Sequence, residues 1–177
     1  MAMSPAQRRF ALLVHVTLSI GWTGAVAAYL ALALAGAGSE DAALVRACYI
    51  AMDLLARSVI VPLAVGATLT GLAMGLGTPW GLFRHYWVLV SMLLTLLALA
   101  VLLQQLGPIE ALAAAARDPT LARADLPGAA GQVLHSAGGL GVLLVVQALN
   151  VYKPRGVTPH GWRKQREERA RAQPRVP

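Results

Sequence analysis

The chain has 177 residues, 57% of them hydrophobic and only 13% charged, with a formal net charge of +7. A soluble domain carries about 25% charged residues. Here four stretches, Ala11–Ser39, Ser58–Phe83, His85–Ile109 and Leu126–Tyr152, carry none at all, and each exceeds the roughly 20 apolar residues that cross a bilayer. That pattern excludes an ordinary soluble enzyme, a disordered chain and a disulfide-stapled secreted domain. The single cysteine, Cys48, has no internal partner.

The apolar runs lack period-two alternation and are too long for strands. Backbone inside lipid must satisfy its own hydrogen bonds, so the runs predict helices. The expected fold is all-α, an integral membrane four-helix bundle. Its spans fall at about 10–36, 47–76, 85–106 and 131–152. The first span follows Arg8 and Arg9 and is far longer than a signal-peptide core, so it reads as a retained span. Span two carries Pro62, which predicts a kink, and then a small-residue face at Gly66, Gly71 and Gly75 for close packing on a neighbour. Gly77–Gly81, with Thr78, Pro79 and Trp80, predicts a tight turn. After span three, a loop over 107–130 is predicted to hold a short Ala-rich helix, Glu110–Arg117, lying on the surface between Pro108 and Pro119. A basic tail, 157–177, follows span four.

Charge sorts the connections. Arg8, Arg9, Arg84 and the tail from Lys153, with eight basic and two acidic residues, fall on one side. Glu40, Asp41, Glu110, Asp118 and Asp125 fall on the other, with Arg46, Arg117 and Arg123 among them. Basic connections mark the cytoplasmic side, so both termini are expected in the cytoplasm of a bacterium, the bundle in its inner membrane. Trp80, Tyr86, Trp87 and Tyr152 fall near the predicted inner interface, where aromatic belts sit. The basic tail reads first as topology and is compatible with anionic lipid. It is not a nucleic-acid signal, because no base-stacking aromatics interleave its charges. Partners are the lipid bilayer and, beyond it, a second copy or a redox partner.

Ionisable groups inside a span are functional candidates by default. The short list is His15, His85, His135, Asp53 and Arg57. His15 is five residues into span one, about 7 Å deep, whereas His135 stands about 25 Å above the inner boundary, so the two differ in height by roughly 18 Å. One iron is not easily shared across that gap. His85 matches His15 in depth and is its expected partner. Asp53 and Arg57, four residues apart, form an ion pair on one helix face, or an outer polar pocket with His135 that orients a quinone or a haem propionate. Gly21 and Gly24 follow His15, and Gly138, Gly139 and Gly141 follow His135. Imidazole beside small residues suits a flat iron porphyrin, and small residues equally serve helix packing.

The segment His15–Tyr29, HVTLSIGWTGAVAAY, resembles the first helix of the CopD-type copper-resistance membrane domain and of the HemJ-type protoporphyrinogen oxidases. Gly77–Val90, GTPWGLFRHYWVLV, and Val151–Gly156, VYKPRG, are similar to segments of small four-span bacterial membrane proteins. The resemblance implies a compact helical membrane protein, b-type haem as cofactor, and His15, Trp22 and Gly24 at the cofactor. The outer loops lack a Met/His cluster for copper, and a full set of oxidase residues in spans two to four is not matched. The expected function is therefore a b-type haem protein in electron transfer or a membrane redox role linked to quinone or haem metabolism, with metal-ligand candidates His15, His85 and His135. If it is an enzyme, it is oxidoreductase-like. The alternatives are a non-redox membrane subunit or scaffold, and a small permease-like oligomer.

Overall fold

The structure is a computed structural model that describes residues 4–77 and 81–172. Helix α1 spans Pro5–Gly38. Ser4 caps it: its hydroxyl accepts from the Gln7 amide while the Gln7 side chain accepts from the Ser4 amide, and Pro5 occupies the first turn, where a missing N–H costs nothing. Helix α2 spans Ala42–Leu55 and opens on Asp41, whose carboxylate accepts from the Ala43 amide at 2.9 Å. It continues through a π-helical turn, Ala56–Ile60, into α3, Val61–Gly77. The Val61 amide reaches back five residues, to the Ala56 carbonyl. Pro62 has no N–H to offer the turn before it, and span two answers with a widened turn rather than a sharp break.

Helix α4 spans Tyr86–Arg117, α5 Ala130–Tyr152 and α6 Pro159–Ala172. A 3₁₀ turn, Arg123–Asp125, interrupts the connection from α4 to α5. Four helices are long and apolar enough to cross a membrane: α1, the joined α2–α3, α4 and α5. The chain is a multi-pass membrane protein with an all-α bundle, and no strand occurs among the described residues. In the bundle α1 packs on α2, α3 and α5, and α4 packs on α2, α3 and α5, which closes a ring of four antiparallel rods. Leu93, Leu97, Leu103, Leu134 and Leu144 remain exposed on its flanks, the surface that hydrocarbon covers.

In the ring of antiparallel rods the start of α1, the start of α4 and the end of α5 share one end, the terminal end. The connection before α4 pairs with the start of the tail through a bridge between His85 and Val157. At the far end, Arg123 donates to the Ser39 carbonyl at 2.8 Å, which ties the α1–α2 connection to the α4–α5 connection.

The predicted surface helix Glu110–Arg117 is not a separate element. Helix α4 runs unbroken through Pro108 to Arg117. Ile109, Leu112, Ala113 and Ala116, spaced i, i+3, i+4 and i+7, are buried in the packing of α4 on α2. That stripe outweighs the missing N–H of Pro108. Arg46 closes the helix by donating to the carbonyls of Ala116, at 2.9 Å, and of Asp118 and Leu121. At 1.5 Å per residue α4 is about 48 Å long, well beyond a hydrocarbon core of about 30 Å.

Gly66 and Gly71 of span two receive side chains of α1, while Gly75 meets the connection that follows its own span. A Cβ on Gly66 would stand 3.1 Å from Leu18, and one on Gly75 would stand 3.2 Å from Leu82. Thr78, Pro79 and Trp80 of the predicted tight turn, and with them Trp80 of the aromatic belt, lie outside the described residues. Tyr86 and Tyr152 are exposed at the terminal end, whereas Trp87 turns inward and is buried. The tail is not only a solvated extension: its residues Pro159–Ala172 are helical.

Candidate functional site

His15 points from α1 onto α3. Its Nδ1 lies 3.1 Å from the Ala67 carbonyl and 3.0 Å from the Thr70 hydroxyl. A carbonyl only accepts, so Nδ1 carries the proton. The Thr70 hydroxyl donates to the Gly66 carbonyl at 2.7 Å and keeps lone pairs for the imidazole. The ring lies against Gly71, where a Cβ would stand 3.0 Å from its Cε1. His15 is thus seated in a notch of α3, in close van der Waals contact.

His85 caps the N-terminus of α4, in the bridge to Val157, with its ring centroid 6.4 Å from that of Trp87. The His15 ring is bonded to α3, and the main chain at His85 is paired with the tail connection. Among the described residues no three His, Cys, Asp or Glu side chains cluster to hold a metal ion.

Asp53 and Arg57 form the predicted i,i+4 pair at 2.8 Å. The pair grows into a four-residue network. Arg57 also reaches Glu110 at 2.8 Å and the Leu106 carbonyl at 3.3 Å, and Arg117 reaches Asp53 at 3.3 Å. Asp53 keeps 13% of its side chain exposed. All the outside partners stand on α4. Asp53 and Arg57 do not line the crevice that His135 reaches, and the continued α4 helix supplies their partners. The network joins α2 to α4.

His135 stands elsewhere, at the rim of a crevice of about 410 Å³ between α1, the π-helical turn, α4 and α5. Trp22, Val26, Ile60, Leu102, Ile109 and Leu143 supply much of its apolar lining, and Tyr29, Gln105, Gln132 and His135 the polar groups. Its volume falls in the range of small-molecule sites, about 300–1,000 Å³. The Nδ1 of His135 lies 2.6 Å from the Gly131 carbonyl, one turn back on the same helix. That nitrogen is the donor, and Nε2 carries the lone pair. Gly138 and Gly139 line the same wall, and no other group stands within 4 Å of where their Cβ atoms would be. The wall is flat and open.

The Tyr29 hydroxyl donates to Gln132 Oε1 at 2.8 Å, and Gln132 Nε2 stands 3.5 Å from Gln105 Oε1. The Ser136 hydroxyl is committed to the Gln132 carbonyl at 2.6 Å. No protein-family model, curated protein or solved structure matches the chain. The site therefore stands on its own geometry.

Of the sequence-derived candidates, Trp22 and His135 meet in this crevice. His15, His85, Asp53 and Arg57 do not line it, and Gly24 has no other group near its Cβ direction. Tyr29, Gln105 and Gln132 were missed as site residues. The available signal was the two glutamines inside or beside apolar runs, where an amide needs a partner.

Proposed function

We propose that this chain is a membrane redox protein that would hold a b-type haem in the crevice, with His135 as the side chain that would bind its iron. The observation that carries the reading is the state of the His135 imidazole. Its Nδ1–H is bound to a backbone carbonyl, so Nε2 keeps the lone pair, and the residue lines an apolar cavity beside two bare glycines. Metal-ligating histidines are held in this way, with the second nitrogen donating to a carbonyl or carboxylate. Among the residues that line the crevice, His135 is the one histidine that would hold the iron. The resemblance favoured His15, which is instead seated on Gly71 away from the crevice lining.

Haem, when bound, supplies one-electron chemistry. The protein's own residues do the rest. His135 orients its Nε2. Trp22, Ile60 and Leu143 exclude water. The Tyr29–Gln132–Gln105 chain gives the cavity one polar edge, where the Gln105 amide is placed to meet an acceptor group. A quinone shares the flat shape and the acceptor groups that this edge suits. We further place both termini in the bacterial cytoplasm. The support is that Arg84 and the tail stand at the terminal end while Asp118 and Asp125 stand at the far end.

Absorption spectra of the detergent-purified protein, before and after dithionite, test the cofactor. The expected result is a Soret band with reduced α and β bands. His135→Ala abolishes or shifts them, and His15→Ala leaves them unchanged. A colourless protein after expression with haem supplied sinks the haem reading. A bound quinone in its organic extract redirects the crevice to that ligand. Protease added to spheroplasts should leave tags at both termini intact.

A further inference from the structure

The tail helix α6 is fixed to the bundle by a set of contacts that leave one stripe free. The Thr158 amide donates to the Arg84 carbonyl at 3.0 Å, and its hydroxyl is bonded to the carbonyls of Phe83 and Arg84. The same hydroxyl caps α6 by accepting from the Gly161 amide at 3.1 Å. A Cβ on Gly161 would collide with the Arg84 carbonyl oxygen and with Val157, so only glycine permits this approach. Two turns on, Glu168 is ion-paired with Arg84. Gly161, Gln165 and Glu168, at i, i+4 and i+7, therefore form the docked stripe. Gly161 is buried and Gln165 half-buried, in agreement.

The neighbouring stripe is Trp162, Arg166 and Arg169, again at i, i+4 and i+7, and all three are exposed. It begins where Phe83, Tyr86 and Tyr152 make an exposed aromatic collar at the terminal end of the bundle, the level of a membrane interface. A tryptophan followed by two arginines on one stripe matches an interface in which the ring sits among headgroups and the guanidiniums meet phosphate. The Arg163 and Lys164 side chains, also exposed, add to the positive field. Glu168, one of the two acidic residues of α6, is turned away into its pair with Arg84.

We propose that α6 is an anionic-lipid-binding arm, which lies along the membrane surface with Trp162, Arg166 and Arg169 on phospholipid headgroups. This is independent of the crevice and its ligand.

Hydrogen exchange of the full-length protein in nanodiscs tests it. One set is phosphatidylcholine alone, the other a mixture rich in phosphatidylglycerol. The α6 amides should exchange more slowly in the anionic discs, by about fivefold for each arginine engaged, and high salt should remove the difference. Arg166→Gln with Arg169→Gln should abolish the lipid dependence and leave the bundle amides unchanged. Gly161→Ala should undock the arm and speed exchange of α6 in both compositions. Equal exchange in the two compositions overturns the proposal, and so does a lipid dependence that survives the double arginine variant. Slow exchange that depends on protein concentration but not on lipid identifies the stripe as a contact between copies, and likewise overturns it.

Discussion

The far-end half of the bundle buries Val45, Tyr49, Met52 and Ile60 almost completely, and polar bonds cross it in several places. The Tyr49 hydroxyl donates to the Pro127 carbonyl at 2.6 Å, Arg46 closes α4, and Asp53 joins Arg57 and Arg117. The terminal half is different. There the glycines of α3 receive Leu18, His15 and Leu82 at contact distance, and few large side chains are buried. The difference follows the solvent. Helices α2 and α4 run past the hydrocarbon, where water is present and burying an apolar ring is favourable. Inside lipid the tails are as apolar as leucine, so association rests on close backbone approach and on hydrogen bonds between helices. A large side chain matters most at one end, and its absence matters most at the other.

Truncation should therefore hurt the far end most. Tyr49→Ala removes a ring that is 1% exposed and leaves the Pro127 carbonyl without its donor. The expected loss is about 3–5 kcal/mol, read as a lowered midpoint of unfolding in detergent. A loss below that of an exposed leucine variant such as Leu93→Ala would erase the comparison.

Enlargement should hurt the terminal end. Gly71→Val forces two methyls into the His15 ring and should cost about 1–3 kcal/mol. His15→Ala alone should cost about 1 kcal/mol for its lost hydrogen bonds. The double variant should be more stable than Gly71→Val, because the space is then free. Additive losses would show that the notch is not where the strain arises.

The smallest effect concerns the far-end loop. Asp118 accepts from the hydroxyl and the amide of Thr120, and these bonds hold its carboxyl below the usual carboxylate range. A lowered folded value means the turn is favoured above the ordinary carboxylate pKa and weakens as pH falls through the lowered one. Protease nicking of the 118–126 segment should thus increase under acid, and Thr120→Val should shift that onset to higher pH. An onset unmoved by the variant would separate the loop from Asp118.

The bundle was legible because its signal is coarse. Four charge-free runs have one physical solution in lipid, a set of helices, and a small-residue face on span two announces close contact. The fate of Glu110–Arg117 was not legible. Pro108 is a local stop signal, and only the buried stripe Ile109, Leu112, Ala113 and Ala116, with Arg46 closing its end, overrides it. Composition and charge by themselves determined span number and the short list of ionisable groups. The tertiary structure decided which of those groups share a space. The three span histidines look alike along the chain. Packing seats the His15 ring on Gly71, the main chain at His85 pairs with the tail connection, and His135 lines an apolar crevice with its Nδ1 bonded to Gly131. Those orientations are set by packing between residues far apart in the chain, such as His15 with Ala67 and Tyr29 with Gln132, which spacing along one helix does not encode.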